Sequence, residues 1–164
     1  MYKILVISDT HHHIGNVIDL IGRISDLNHI LHLGDLVADA MDIKAICDVP
    51  VHFVSGNCDG YHPDIHDTLL VEIKNKKFLL THGHHYHVKT SLTHLEKIAK
   101  DHQADVALFG HTHMSHLGYK QDLLIMNPGS ISNPRNSKFP SYGIIEIDGE
   151  GRIHGTLNDY KKSL

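Results

Sequence analysis

The stretch Tyr2-Lys3-Ile4-Leu5-Val6-Ile7-Ser8-Asp9-Thr10-His11 decides the fold. From Tyr2 to Ile7 it is almost continuously apolar and rich in branched side chains, as in a strand buried on both faces with helices above and below. A carboxylate and an imidazole, Asp9 and His11, follow directly. In α/β sheets ligands collect beyond the carboxyl ends of strands, where loops carry polar side chains on a rigid base. An Asp-x-His pair there is half of a metal site. The plain alternative is a strand-to-helix turn in which Asp9 or Thr10 caps the next helix. The pair alone does not choose between them.

The same arrangement recurs along the chain. Ile14, Val17, Ile18 and Ile21 stand at helical spacing and predict a helix from about Ile14 to Asp26. A short apolar strand from His29 to Leu33 then ends in Gly34-Asp35. A weaker helix from Ala38 to Cys47 is stopped by Pro50, and a third strand, Val51 to Val54, ends in Ser55-Gly56-Asn57-Cys58-Asp59. Strands alternating with helices through short connections imply right-handed crossovers and a parallel sheet. Three times in succession an Asp or Asn lies just past a strand, more than turn chemistry alone explains.

Gly60 to Asp67 has no periodicity and reads as a loop near the site. Two strands follow, Leu69 to Ile73 and Lys77 to Thr81, joined at a lysine-rich turn and ending in His82-Gly83-His84. Val88, Leu92, Leu95 and Ala99 line one face of a helix expected to run to about His102. Ala104 to Phe109 is another buried strand, ending in Gly110-His111-Thr112-His113. The tail reads as a meander of strands: His116 to Tyr119, Leu123 to Met126, Tyr142 to Ile147 and Arg152 to Leu157. Asp148-Gly149 is a tight-hairpin signal between the last two.

Composition bounds the function. With 164 residues, a net charge of −4 and 41% hydrophobic residues, the chain reads as one domain over residues 1–164 with a core of its own. It has no electrostatic footprint for duplex nucleic acid or an anionic membrane. The two cysteines, Cys47 and Cys58, and the absence of a signal or membrane-spanning run lead to the expectation of a reducing, cytoplasmic setting. A homo-oligomer is left open. The unusual count is 18 histidines, and imidazole is the commonest transition-metal ligand.

The polar residues that follow strands are Asp9, His11, Asp35, Asn57, His82, His111 and His113. Two carboxylates, one amide oxygen and four imidazoles suit a pair of divalent ions of intermediate hardness: Mn²⁺ first, with Ni²⁺, Fe²⁺ or Zn²⁺ also fitting. Seven ligands exceed what one catalytic zinc takes, about three from the protein plus water. They suffice for two ions if one carboxylate bridges. Two-metal sites serve in-line displacement at phosphorus, where attacking and leaving oxygens both need stabilising.

Six pieces in order complete the pattern: Asp9-Thr10-His11, Gly34-Asp35, Gly56-Asn57, His82-Gly83-His84, Gly110-His111-Thr112-His113, and Asn127-Pro128-Gly129-Ser130 followed by Pro134-Arg135. In these the chain, from Ile4 to about Ile147, resembles the metallophosphoesterase (calcineurin-like) superfamily, and within it the small single-domain phosphodiesterases of bacteria and archaea. The resemblance implies a two-sheet sandwich flanked by helices, four layers in the order α/β/β/α. It assigns Asp9, His11, Asp35 and His113 to one ion and Asp35, Asn57, His82 and His111 to the other, with Asp35 bridging. It also implies hydrolysis of a small-molecule phosphodiester by a hydroxide held between the ions. A phosphomonoesterase of the same fold, or a silent protein-binding scaffold like the retromer subunit of this fold, are the alternatives.

Rival signatures fail on detail. His111-Thr112-His113-Met114-Ser115-His116 comes near the HxHxDH run of metallo-β-lactamase-like hydrolases, but Ser115 replaces its aspartate. His11-His12-His13 evokes an amidohydrolase pair, yet a (β/α)₈ barrel takes about 250 residues. His84 is the candidate for contact with the phosphoryl oxygens. Larger family members commonly read Gly-Asn-His, and that histidine is thought to protonate the leaving oxygen. Here Cys58 takes its place, either in a chemical role or as a small buried filler. Asn127 to Ser130 reads as a turn beneath the site, and Arg135 as a phosphate contact or a structural cation. His12 and His13 read as substrate contacts or exposed bystanders; His29, His32 and His52 as structural or surface residues.

Overall fold

In the computed structural model, which describes residues 1–162, β1 (Tyr2–Ile7) is the central strand of a five-stranded sheet. Its side chains alternate: Ile4 and Val6 face a second sheet, while Leu5 and Ile7 face helices on the outside. Two parallel strands follow through helical crossovers, in chain order α1 (Gly15–Arg23), β2 (Leu27–His32), α2 (Val37–Ile46) and β3 (Val51–Phe53). β4 (Thr68–Ile73) and β5 (Lys76–Thr81) form an antiparallel hairpin. Its turn residues Lys74 and Asn75 have φ of 53° and 60°, the left-handed pair a two-residue type I′ turn requires. α3 (Thr93–Asp101) leads to β6 (Val106–Leu108), then come β7 (Ser115–Lys120), β8 (Leu123–Pro128), β9 (Ser141–Ile147) and β10 (Ile153–Asp159).

The strand orders are β10-β9-β1-β2-β3 and β4-β5-β6-β8-β7. Ile4, Val6, Leu31 and Val54 of the first sheet pack between the layers against Phe78, Leu80, Leu108 and Met126 of the second. Val17, Leu20 and Ile43 of α1 and α2 cover the outer face of the first sheet, and Leu95 and Ala99 of α3 cover that of the second. The four layers that the family resemblance implies are present. No helix among the described residues is long and apolar enough to cross a membrane.

Three expectations need correction. The helix predicted from Val88 begins only at Thr93. A 3-10 turn, His84–Tyr86, comes first, and His87 at φ 54° ends it. Val88 shares the α3 core with Leu95 and Ala99 without sharing the helix, so its spacing reported a common destination. The tail is not one meander either. β7 and β8 belong to the second sheet, with β8 parallel to β6, and residues 129–140 carry the chain across to β9 in the first. The last hairpin closes through residues 148–152 instead of a two-residue turn. Asp148 Oδ1 accepts from the Glu150 and Arg152 amides at 2.9 and 3.0 Å, and Gly151 takes φ +78°. The Asp and the Gly act, but three residues apart.

At the end of the sandwich holding Tyr2, the His29 ring stacks on His52, centroids 4.9 Å apart at 8°, and the Tyr2 hydroxyl lies 3.4 Å from its Nδ1. His29 is 6% exposed, and its buried Nε2 has no hydrogen-bond partner. Burial, reinforced by His52, pulls the His29 pKa from 6.5 down to about 4. A histidine buried neutral favours folding fully above its unfolded pKa, and that contribution is lost as pH falls from about 6.5 towards 4. At roughly 1.4 kcal/mol per pKa unit, the loss approaches 3 kcal/mol. Urea unfolding midpoints of His29→Leu, measured in chelator, should therefore fall less between pH 7 and 4.5 than those of the wild type; parallel curves would show that His29 does not carry this dependence.

Candidate metal centre

The strand ends of both sheets open onto one side of the sandwich. β1 delivers Asp9 and His11, β2 Asp35, β3 Asn57, β5 His82, and β6 His111 and His113. Asp9, Asp35, His82 and His113 are buried, His11 and His111 half-buried, and Asn57 exposed. Ligand atoms of Asp9, His11 and His113 lie within 4.8 Å of one another, as do those of Asp9, Asp35 and His82. Asp9 is common to both groups. His111 sets its ring edge-on to His82, centroids 5.1 Å apart, while its backbone N–H donates to Asp9 Oδ2 at 3.1 Å.

The hydrogen bonds behind these side chains say what the front needs. His82 Nδ1 lies 2.8 Å from the Leu33 carbonyl and His113 Nδ1 2.8 Å from the Asn133 carbonyl. A carbonyl only accepts, so each ring keeps its proton on Nδ1, and a neutral ring then presents a bare lone pair at Nε2. His82 Nε2 faces Asn57 Oδ1 at 3.0 Å and Asp9 Oδ1 at 3.9 Å; His113 Nε2 faces His11 Nε2 at 3.0 Å and Asp9 Oδ1 at 3.3 Å. Asp9 Oδ1 and Asp35 Oδ2 are buried without a hydrogen bond, although His11 Nδ1 stands 2.8 Å from the latter. Acceptors pointed at acceptors in a buried space call for positive charge between them. Imidazoles tied at Nδ1 to backbone carbonyls are the usual setting for an Nε2 metal ligand. The donor set fits divalent ions.

In the protein alone, protons partly meet that demand. Burial would raise the Asp9 pKa, but a proton on His113 Nε2 facing Asp9 Oδ1, positive charge on His82 and the Ser8 hydroxyl outweigh it and hold the carboxyl below its usual range. The His113 pKa is raised in turn, chiefly by its bond to Asp9. The His111 pKa is lowered to about 4, first by burial and then by His82, which keeps its ring neutral.

The backbone is bent to aim these groups. Asp9, His11, Asp35, His111 and His113 have φ of 55°, 46°, 94°, 67° and 60°, a left-handed region that non-glycine residues rarely enter and that concentrates at functional sites. Surrounding bonds hold the strain. The Ser130 and Ser132 hydroxyls both donate to the Asp9 carbonyl, at 2.8 and 2.9 Å, and the Asp9 amide donates to Gly34 at 3.3 Å. The Ser8 hydroxyl fixes Asp9 Oδ2 at 2.7 Å, leaving Oδ1 to face the histidines. Asn127 Nδ2 ties the Gly110 carbonyl and Thr112 Oγ1 together. Asn127 to Ser130 does lie beneath the site, with Asn127 and Pro128 ending β8.

The other singled-out residues are placed unevenly. His84 is half-buried beside the cluster, its ring 5.6 Å from His82 and 6.1 Å from His111, with Nδ1 buried and unpartnered. Burial and the adjacent His85 lower its pKa. Cys58 is exposed, so the buried-filler reading is corrected. Its thiol accepts from Asn57 Nδ2 at 3.5 Å, and its bond to Asp35, with burial second, pushes its pKa to about 11. His12 and His13 are exposed, as is Arg135, whose amide donates to the His113 carbonyl at 3.1 Å. His32, read from the sequence as a structural or surface residue, is the last residue of β2 and is fully buried against Thr10 and Gly34. Ser8, Thr10, Asp39 and Ser132 were not singled out by the sequence, where each passes for a turn, cap or helix residue.

The family model of the calcineurin-like phosphoesterase superfamily domain matches residues 2–150. The chain belongs to the calcineurin-like phosphoesterase superfamily. It is similar to Phosphodiesterase MJ0936 of Methanocaldococcus jannaschii, 32% identical over 163 residues, covering 89% of this chain and 93% of that one. The superfamily fold is shared with a conserved uncharacterized protein of Streptococcus pneumoniae TIGR4, at a TM-score of 0.78 and 24% identity over 96% of this chain and 97% of that one. It is shared too with wild-type Vps29 of Entamoeba histolytica, solved in complex with zinc, at a TM-score of 0.73 and 24% identity over 97% of this chain and 99% of that one.

Gly56 shows how little room the centre leaves. A Cβ there would lie 2.4 Å from the Asp35 amide nitrogen and 2.5 Å from its Cα, backbone atoms that cannot swing aside. Gly56→Ala should lower the thermal midpoint by several degrees and weaken Mn²⁺ uptake at least tenfold, read by calorimetry and metal titration. Unchanged uptake would mean that Asp35 is not held where the ion binds.

Proposed function

We propose that this superfamily member is a metal-dependent phosphodiesterase that hydrolyses a small-molecule phosphodiester at a centre of two divalent ions. Asp9, His11, Asp35 and His113 would hold one ion and Asp35, Asn57, His82 and His111 the other. The observation that carries this reading is the convergence of buried, hydrogen-free acceptors on Asp9 Oδ1. When bound, the ions would supply Lewis acidity, neutralising charge on the phosphoryl oxygens and lowering the pKa of bound water. A diester is favoured by the relative named a phosphodiesterase. Both cysteines are free, which supports a cytoplasmic setting.

The chain's own residues orient and discriminate. His82 and His113, locked through Nδ1, keep their Nε2 atoms aimed forward. Asn57 offers a neutral amide oxygen, leaving its ion more electrophilic than a carboxylate would. His84, neutral at pH 7, donates a hydrogen bond to a phosphoryl oxygen, a contact that gains strength as charge develops.

The test is turnover together with metal content. Zinc sits in Vps29, which shares the fold, so metal content alone does not distinguish an enzyme from a scaffold. Protein stripped by chelator should be inactive on bis(p-nitrophenyl) phosphate. Mn²⁺ should restore it better than Mg²⁺, because four imidazoles disfavour a hard, oxygen-seeking ion. Full activity in chelator would exclude the metal reading, metal uptake without turnover would leave the scaffold, and preference for p-nitrophenyl phosphate would point to a monoesterase.

Cys58 gives a sharper test. A thiol is a weak hydrogen-bond donor with an ordinary pKa near ~8.5, a poor match for an imidazole near ~6.5. The site then lacks a strong general acid, a contribution of roughly 10²–10⁴-fold when well placed. Cys58→His should accelerate alkyl diesters, whose leaving oxygen needs a proton, more than nitrophenyl diesters. Rates on both ester types at saturating metal provide the comparison; equal effects would show that leaving-group protonation is not what limits this site.

A further inference from the structure

A chain of buried hydrogen bonds runs under the candidate ligands and ends on a carboxylate given no role above. The Gly34 N–H donates to His32 Nδ1 at 3.2 Å. That nitrogen must be bare, so the ring proton sits on Nε2, which lies 3.3 Å from Thr10 Oγ1. With the imidazole donating to it, the Thr10 hydroxyl is free to direct its own hydrogen onwards, and Asp39 Oδ2 receives it at 2.5 Å. The same carboxylate oxygen accepts the His12 N–H at 2.9 Å. Thr10 and His32 are fully buried and Asp39 is 4% exposed. Every bond therefore points one way, from Gly34 through His32 and Thr10 to Asp39.

We propose that Asp39, on the first turn of α2, is a positioning residue for both metal-binding loops. His11 stands between the two residues Asp39 grips, Thr10 and His12, and is held at φ +46°. Asp35 follows Gly34, whose peptide is gripped by His32 at its N–H and, through its carbonyl, by the Asp9 amide at 3.3 Å. One charged acceptor thus fixes the approach of a ligand from β1 and, through an imidazole, a ligand from β2. Being charged, it makes the bonds to Thr10 and His12 stronger than neutral partners would. Its place near the N-terminus of α2 favours the negative charge there. The proposal rests on the metal centre proposed above.

The experiment is Mn²⁺ titration of folded protein by calorimetry, with circular dichroism to establish folding, on Asp39→Ala, Asp39→Asn, Thr10→Val and the double variant Asp39→Ala/Thr10→Val. Loss of a group that orients metal ligands weakens affinity roughly 10–100-fold, and Asp39→Ala should do so. Thr10→Val should come close to it, because it cuts the chain at its middle. The double variant should bind no worse than the weaker single, since both cut one path. Asp39→Asn should stay within a few-fold of the wild type, because both donors reach a single oxygen that asparagine can supply. A residue that merely packs would lower the unfolding midpoint and leave the Mn²⁺ affinity of the folded fraction alone. Wild-type affinity in folded Asp39→Ala, or losses that add in the double variant, would overturn the proposal. Should Asp39→Ala not fold, Thr10→Val decides on the same readout. Wild-type protein that takes up no Mn²⁺ would overturn the metal centre itself, a separate outcome.

Discussion

A buried carboxylate oxygen with only acceptors around it is the constraint on which this structure turns. Asp9 Oδ1 is enclosed by the two sheets and faced by His82 and His113, both already committed through Nδ1 to backbone carbonyls. Among the described residues nothing supplies the hydrogen that would settle the cluster, except a proton taken up by the histidines themselves. An apolar core would exclude such a group, and a surface would hydrate it. The sandwich does neither, because five strands end around it and each brings its own acceptor.

Aiming those acceptors demands backbone that L-residues avoid. Extended strands point side chains above and below the sheet, not along the strand axis towards a common point. A left-handed residue just past the strand end turns the chain so that the side chain projects over the edge, and five candidate ligands are set this way. Serine hydroxyls from the β8–β9 connection, the Gly34 peptide and the Asn127 amide then hold the bent segments. Gly56, with no Cβ, lets the β3 loop touch the Asp35 backbone. Ligands and strain come as one set.

Much of this was legible in the sequence, for a physical reason. Buried parallel strands are near-continuous apolar runs, and a polar residue at the end of such a run has few duties other than function, so Asp9, Asp35, His82 and His111 stood out. The hairpin at Lys74-Asn75 followed from turn chemistry. What escaped was whatever depends on tertiary partners. Val88 kept a helical rhythm because Leu95 and Ala99 share its core, not its helix. β8 and β9 looked like neighbours because sequence order hides a crossing between sheets. His32 resembled an ordinary strand residue, and Asp39 a helix-capping acid, because a hydrogen bond between distant loops leaves no local pattern.

The left-handed candidate ligands also have an evolutionary consequence. Glycine adopts that backbone freely, whereas an L-residue pays roughly 1 kcal/mol or more for it. Replacing any of the five by glycine would therefore relieve strain while keeping the loop's path, and at Asp9, Asp35 or His113 it would also remove a buried polar group. Drift towards a quieter and more stable sandwich therefore runs downhill in backbone energy, and only a need for these side chains opposes it. A fold that carries its function in strained backbone keeps, one substitution away, a version of itself that is only a scaffold.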